Sequence, residues 1–233
     1  ARIFSRVSAG EEVFGMKRNF MLLLLLMLSF AAASAFCGTA LASDGGRVLV
    51  AYFSLWGNSE YPEEADATSS ASALISGGAK FGATEYVARM ISELTGGELY
   101  AIRTAEKYPA DFDAVIEKNH DEIDAGLMPR LAGTMPELSE YETVFIGYPV
   151  WANTAPRAVI SFIEECGGLA GKTVIPFCTH DGYGSGRSYS EFFDAAKGAE
   201  RREGIDISSR GVQNCRSRVT EWLKSVMITR KAE

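Results

Sequence analysis

The sequence predicts one α/β domain with a doubly wound parallel sheet. From residue 47 onward, short β-branched runs alternate five times with segments of helical spacing. The runs VLVAYF and VFIGY are apolar throughout, which is typical of strands that helices cover on both faces. Residues 43–233 carry this pattern and are long enough to enclose a single hydrophobic core.

The predicted strands and helices alternate along the chain. The strands are RVLVAYF, ELYAI, TVFIGY, KTVIPF and GIDI, at residues 47–53, 98–102, 143–148, 172–177 and 204–207. The helices are TEYVARMISELTGG, DFDAVIEKNHDEI, RAVISFIEECGG, SYSEFFDAAKG and CRSRVTEWLKSV, at residues 84–97, 111–123, 157–168, 188–198 and 215–226. In the first helix the apolar residues recur at helical spacing, and the two glycines that follow them predict its end.

The first 42 residues are expected to lie outside the domain. Residues 16–42 contain a short basic opening, a Leu-rich apolar stretch and a small-x-small sequence ending at Ala42, the pattern of a secretory signal. Residues 1–15 are interpreted as a mis-assigned start or a cloning remnant. A membrane anchor is the rival interpretation, but the apolar part is shorter than the ~20 residues of a spanning helix. We therefore expect export to the periplasm or the extracellular space, with the mature chain starting at Ser43 and no stable membrane anchor after cleavage.

The charge and the cysteines of the mature chain exclude several classes of function. Removing residues 1–42 takes away four basic and two acidic residues, which leaves 19 basic and 28 acidic residues and a net charge of −9. Nucleic acid and anionic membranes are therefore poor partners. Cys166, Cys178 and Cys215 match no metal pattern, and three cysteines are not a disulfide framework. One disulfide plus one thiol, or three packed thiols, both remain open.

One segment interrupts the alternation between the first strand and the first helix. An insertion at about residues 55–81 stands where a loop of about 2–6 residues is usual. Its Gly, Ser and acidic content favours an ordered surface excursion or a lid, although it could also be without function.

The first-strand loop and the helix after it suit a phosphate group. In an open parallel sheet, ligands bind at the carboxyl ends of the strands where the winding direction reverses. Small residues and hydroxyls beside a helix N-terminus offer unpaired donors to a phosphate. No GxxxxGK[ST] pattern occurs, so a monophosphate is favoured over a nucleoside triphosphate. The candidate residues are Ser54, Trp56, Gly57, Asn58 and Ser59, followed by Gly82, Ala83 and Thr84.

The loops after the third and fourth strands each carry an aromatic residue. The third-strand loop, GYPVWANTAP, contributes Pro149, Val150, Trp151 and Asn153. The fourth-strand loop, CTHDGYGSGRS, contributes Thr179, His180, Asp181, Gly182, Tyr183, Gly184 and Ser185. Two facing loops of this kind could hold a flat ring between them, although a loop Trp can also be a packing anchor and glycines can simply turn the chain.

The stretches VLVAYFS, GYPVWANTAPRAV and GKTVIPFCTHDGYGSGRS resemble the flavodoxin-like family, in particular a branch whose third loop reads PFCTHxGxGxG. The resemblance implies a five-stranded sheet in the order 2-1-3-4-5 and FMN as the cofactor. It also implies that Ser54, Asn58 and Thr84 hold the phosphate, while Trp151 and residues 179–185 flank the isoalloxazine. SLWGNS lacks the central Thr of the usual phosphate loop, which favours a split loop built from both sides of the insertion.

The leading functional hypothesis is an FMN-binding electron-transfer protein acting outside the cytoplasm. It would exchange electrons with a redox partner protein or with a small-molecule donor or acceptor. One alternative is an NAD(P)H-dependent quinone or flavin reductase, although no separate nicotinamide-binding motif occurs; a second alternative is a flavin-free binding module. His180 is either a proton donor or ring contact, or a hydrogen-bond partner of its own loop. We expect Trp222 to lie in the core and His120 to be solvated.

Overall fold

The computed structural model describes residues 46–60, 74–76 and 79–227. Its strands are β1 (Val48–Phe53), β2 (Leu74–Ser76), β3 (Ala79–Phe81), β4 (Glu98–Ile102), β5 (Thr143–Pro149), β6 (Thr173–His180), β7 (Glu200–Arg201) and β8 (Ile205–Ser208). Its α-helices are α1 (Ala83–Thr95), α2 (Phe112–Asp124), α3 (Arg157–Glu165), α4 (Ser188–Ala195) and α5 (Arg216–Met227). The predicted signal at residues 16–42 lies outside the described residues.

The main sheet is parallel and has the order β4-β1-β5-β6, with β7 and β8 both pairing with β6 at the far edge. Counted by the five predicted strands, this is the order 2-1-3-4-5, so the predicted doubly wound fold is confirmed. The winding direction reverses at β1, and the loops that leave β1 and β5 therefore start at neighbouring points on one edge of the sheet.

Two hydrophobic clusters cover the two faces of this sheet. One cluster joins the sheet to α2, α3 and α4, and the other joins it to α1 and α5. Gly147 on β5 makes room for its neighbour in the sheet, since a Cβ at this position would overlap the ring of Phe177 on β6. Trp222 is 9% exposed and packs edge-on against Phe145, so its predicted place in the core is confirmed.

The structure corrects several predicted boundaries. β5 runs through Pro149, and β6 runs through Thr179 and His180, which the sequence analysis assigned to loops. The extra length arises because Pro149 pairs in register with Thr179, so the ladder continues past the predicted strand ends. The insertion at about 55–81 contains the antiparallel β2–β3 hairpin, while residues 61–73 and 77–78 lie outside the described part.

All three cysteines of the described residues are free thiols, which decides between the two alternatives that the sequence left open. Burial raises the pKa of Cys178 to about 12 and that of Cys166 to about 11, so neither is a reactive thiolate near neutral pH. Within the described residues, no helix is long and apolar enough to span a membrane.

Candidate functional site

The loop after β1 is fastened by one buried side chain, Asn58. Its amide nitrogen donates to the carbonyls of Ser54 and Ile102, at 2.8 and 3.0 Å, and its amide oxygen accepts from the backbone N–H of Thr104 at 2.9 Å. The side chain is 1% exposed. Asn58 therefore ties the loop to the end of β4, and its predicted contact with a phosphate remains a prediction.

The same loop brings an unpartnered hydroxyl to the N-terminus of α1. Ser54 is 1% exposed, and its Oγ has no hydrogen-bond partner. A Cβ on Gly82, the N-cap residue of α1, would overlap this Oγ, so the hydroxyl lies directly against the helix end. Gly82 has no side chain to cap the helix, and the first backbone N–H groups of a helix have no partner within it. We name Ser54 and the first turn of α1 the hydroxyl cradle.

Two further predicted residues, Thr84 and Ser59, are also buried. Thr84, in the first turn of α1, shares a 2.7 Å hydrogen bond with the hydroxyl of Thr179 at the end of β6. Both residues are fully buried, and their hydrogen bond links the N-terminus of α1 to the end of β6. Ser59 is 8% exposed and has a second hydroxyl without a partner.

Trp151 lies in a tight turn that the sequence analysis did not predict. Trp151 and Thr154 exchange two backbone hydrogen bonds, at 3.1 and 2.8 Å. Ala152 and Asn153 between them both have positive φ, 48° and 64°, the conformation of a two-residue hairpin turn. The signal in the sequence was the Asn, which tolerates positive φ better than most residues.

The indole of Trp151 packs against the protein as well as facing the site. Its ring meets those of Phe53 and Tyr108 edge-on, with centroids 5.4 and 5.3 Å away. The residue is only half-buried, so part of the ring remains available to a ligand. Trp151 is thus an anchored aromatic, and its predicted contact with a flavin remains a prediction.

The third-strand and fourth-strand loops lie against each other. The Val150 N–H donates to the Thr179 carbonyl at 2.8 Å, and the Tyr183 hydroxyl donates to the Val150 carbonyl at 3.0 Å. The backbone N–H of Arg187 donates to the Asn153 carbonyl at 2.8 Å. The predicted juxtaposition of two aromatic-bearing loops is therefore present in the structure.

His180 organises the fourth-strand loop. Its Nδ1 accepts from the backbone N–H groups of Gly182 and Gly184, at 2.9 and 3.1 Å, so its proton lies on Nε2, which faces Asp206 at 3.1 Å. At 5% exposed, His180 has the loop-bonding role that the sequence left as one of its two alternatives. Asp181, by contrast, is half-buried and accepts from the Ser209 hydroxyl at 3.2 Å.

The loop between β4 and α2 also borders the site, although no motif in the sequence predicted this. Arg103 donates to the carbonyl of Trp56 at 3.2 Å, and Lys107 donates to that of Gly57 at 2.9 Å. Tyr108 supports the ring of Trp151 from this loop. The only available signal was the position of these residues directly after a predicted strand.

A cavity of about 450 Å³ lies on the other side of Tyr108, between this loop and α2. The Tyr108 hydroxyl donates to the carboxyl of Glu122 at 3.0 Å, and the ammonium of Lys118 lies 4.6 Å from the centre of the Tyr108 ring. Burial raises the pKa of Glu122. Leu127 and Met128 contribute apolar surface to the same cavity.

These features define an α/β protein with a candidate ligand site at one edge of its sheet: a helix end with an unpartnered hydroxyl, and two linked loops that carry aromatic residues. The chain belongs to the flavodoxin family, because the family model described as flavodoxin matches residues 72–226. That match begins within the insertion, so β1 and the Ser54–Ser59 loop precede it.

Solved structures support the same assignment. A candidate flavoprotein of Bacteroides uniformis is 30% identical, with 77% of this chain and 99% of that chain covered and a TM-score of 0.54. A candidate flavoprotein of Bacteroides eggerthii is 25% identical, with 79% and 100% covered and a TM-score of 0.58. A flavoprotein of Lactobacillus acidophilus in complex with FMN shares the fold at 19% identity, with 73% and 98% covered and a TM-score of 0.52. No curated protein matches the chain.

Proposed function

We propose that the protein binds one FMN at this edge of the sheet and transfers electrons outside the cytoplasm. The observation that carries the proposal is the unpartnered, buried hydroxyl of Ser54 at the uncapped N-terminus of α1. A buried polar group without a partner costs about 1–3 kcal/mol, which a bound phosphate oxygen would offset. Membership of the flavodoxin family and the FMN complex of the Lactobacillus protein support FMN as the cofactor.

The chain's residues divide the binding of FMN between two places. The hydroxyl cradle would hold the phosphate through the Ser54 hydroxyl and the backbone N–H groups of α1, where the helix dipole favours an anion. Trp151 and Tyr183 would lie at the ring, on loops that three hydrogen bonds join. Because these loops are already linked, little ordering would be needed on binding, which favours affinity.

The bound flavin would supply the redox chemistry, and the protein would set its potential. The carboxylate of Asp181, on the loop that would border the ring, opposes additional negative charge there and so disfavours the reduced state. Backbone N–H and C=O groups near Trp151 and Gly182 could bond the ring edge and select its protonation state. His180 has both ring nitrogens engaged, so it would position the loop and would not donate a proton to the ring.

A spectrum of the purified mature protein tests the proposal. We expect a yellow protein that is bleached by stepwise dithionite, and mass spectrometry of the released cofactor should find FMN and not FAD. A colourless protein that takes up no added FMN would favour a flavin-free binding module.

The cavity beside Tyr108 favours a second candidate function, that of an NAD(P)H-dependent quinone or flavin reductase. A reductase needs space for a small-molecule substrate, whereas a carrier does not, and this open cavity is about 450 Å³ in volume. Steady-state oxidation of NAD(P)H in the presence of a soluble quinone separates the two functions. Turnover at several per second would favour the reductase, and its absence in a flavin-loaded protein would favour the carrier.

The proposed location rests on the signal-like residues 16–42. We expect the exported protein to start at Ser43 and to acquire FMN after translocation, because the long Leu run favours export of an unfolded chain. N-terminal sequencing of the secreted protein that found Met16 or Ala1 would contradict this proposal.

A further inference from the structure

We propose that Arg103 and Lys107 form a cationic wall on the first-strand loop and make the site selective for a doubly charged phosphate monoester. The inference rests on the proposed function, because the ligand considered is FMN. It extends that function by assigning the charge selectivity of the site to two residues outside the split phosphate loop.

Both cations reach the first-strand loop through its backbone. The guanidinium of Arg103 bonds the Trp56 carbonyl and the ammonium of Lys107 bonds the Gly57 carbonyl. Gly57 makes room for this approach, since a Cβ at this position would overlap the Arg103 guanidinium. The other end of the same short loop is Ser54, whose hydroxyl lies in the cradle.

Within the described residues, neither Arg103 nor Lys107 forms an ion pair with a carboxylate. The ion pairs formed within the part of the chain that the structure describes involve other residues, although the protein as a whole is acidic. Each cation also has donors to spare, because an Arg has five N–H groups and a Lys has three, while each makes a single hydrogen bond to the loop. Two cations that form no ion pair within the described residues are thus held on the loop that begins at the unpartnered hydroxyl of Ser54, and this arrangement indicates an anion as the missing partner.

The charge of the ligand explains why two cations would be needed. A phosphate monoester carries about −1.5 to −2 near pH 7, whereas a helix N-terminus supplies only about half a positive charge. With Glu85 bound to Arg89 at 2.8 Å in the first turns of α1, the helix offers no free cation there. Arg103 and Lys107 therefore supply positive charge that α1 lacks.

Titration of the apoprotein with FMN and with riboflavin, which lacks the phosphate, tests the assignment. The variants are Arg103→Gln and Lys107→Gln, which remove the charge but retain an N–H donor for the loop carbonyl. Arg130→Gln is the matched control, because Arg130 is an exposed cation near the same loop that makes no bond to residues 54–59. Thermal unfolding of each apoprotein checks that the variants fold.

We expect each loop variant to bind FMN about tenfold more weakly than the parent, with a shallower dependence of the dissociation constant on salt. Riboflavin affinity should change less than about twofold, and Arg130→Gln should leave both affinities unchanged. Equal losses for FMN and riboflavin would show that the two residues merely hold the loop, and unchanged FMN affinity would likewise overturn the inference.

Inorganic phosphate serves as a second probe, read by calorimetry on the parent apoprotein. A parent that binds phosphate but not FMN would overturn the proposed cofactor and leave the cationic wall supported if the Gln variants lose phosphate binding. A parent that binds neither ligand would overturn both proposals.

Discussion

The helices α1 and α2 begin at the same edge of the sheet, after the adjacent strands β1 and β4, but their N-termini are completed differently. The side chain of Asp111 caps α2 by accepting from the backbone N–H of Ala114 at 3.0 Å. Gly82 leaves α1 without a side-chain cap, and the helices α3 and α4 also lack one. An absent cap therefore does not mark a site. The buried hydroxyl of Ser54 distinguishes α1, because it is a second group at that helix end that the protein leaves unpartnered.

Among the residues of the candidate site, the largest effect should come from removing the side chain that positions the Ser54 loop. Asn58→Ala would leave the Ser54 and Ile102 carbonyls and the Thr104 N–H without their buried partner, so we expect the free energy of unfolding to fall by about 3 kcal/mol. Urea denaturation measures the loss.

Asn119 provides the matched control for Asn58. It is also 1% exposed, but neither amide atom of its side chain has a hydrogen-bond partner. Asn119→Ala should therefore cost less than about 1 kcal/mol, because it removes no hydrogen bond and relieves a desolvated amide. Similar losses in the two variants would contradict the role given to the Asn58 hydrogen bonds.

A methyl group at the α1 N-terminus should abolish most of the cofactor affinity. Gly82 has φ −74°, which alanine adopts without strain, but the added Cβ would overlap the Ser54 Oγ. We expect Gly82→Ala to weaken FMN binding about a hundredfold, equivalent to about 2.7 kcal/mol. Fluorescence titration of the apoprotein measures the affinity.

The opposite end of the same helix supplies the control for Gly82. Gly96 has φ 71° and no atom near its added Cβ, so Gly96→Ala should cost about 1 kcal/mol of stability through backbone strain alone. Its FMN affinity should equal that of the parent. A loss of affinity there would mean that helix stability, and not the cradle, governs binding.

Trp151, on the side of the site proposed for the flavin ring, should contribute less to FMN affinity than the hydroxyl cradle does. A stacked indole adds roughly 0.5–1.5 kcal/mol beyond its buried area, so Trp151→Ala should weaken FMN binding more than tenfold and raise the potential of the fully reduced flavin. Flavin fluorescence reads this directly, since FMN stacked on an aromatic ring is quenched.

Variants of the other two tryptophans are the controls for Trp151→Ala. Trp222→Ala should cost about 3–5 kcal/mol of stability and leave the potential nearly unchanged, because its indole packs in the core and donates to the Glu203 carbonyl. Trp56→Ala should fall between these cases. If Trp151→Ala binds FMN with the parent's affinity and with the same quenching of flavin fluorescence, Trp151 is only the packing partner of Phe53 and Tyr108.

The smallest effects should come from single side chains at the N-termini of α1 and α2, and they should distinguish the two helices most clearly. Ser54→Ala removes a buried hydroxyl that has no partner in the protein, so the apoprotein should keep its stability while FMN affinity falls by about fivefold to tenfold. Asp111→Ala should do the reverse, with about 1 kcal/mol of stability lost and FMN affinity unchanged. Unfolding and FMN titration are measured on both variants. If both lost stability, or both lost FMN affinity, the proposed difference between the two helix ends would be wrong.

The five strands and five helices of the main domain were predictable, because apolar periodicity alone distinguishes runs such as VLVAYF from TEYVARMISEL. The site was predictable at the level of loops, since the order of strands brings their carboxyl ends to one edge. The pairing of Pro149 with Thr179 was not predictable, because strand ends depend on a neighbour distant in sequence. The same holds for the roles of Asn58 and Arg103, which join the first-strand loop to the end of β4 and leave no periodic signal in the sequence.

Two short strands, β7 and β8, share the edge of the sheet beside β6, and this division affects how the protein behaves in concentrated solution. β7 has two residues and β8 has four, so the edge beyond β6 offers no long row of backbone groups to a second chain. At the opposite edge, the backbone of residues 130–132 bonds Arg103 and Ala105 directly beyond the end of β4. Edge strands as short as β7 and β8 resist strand-to-strand self-association, so the edge beyond β6 is the protected one of the two.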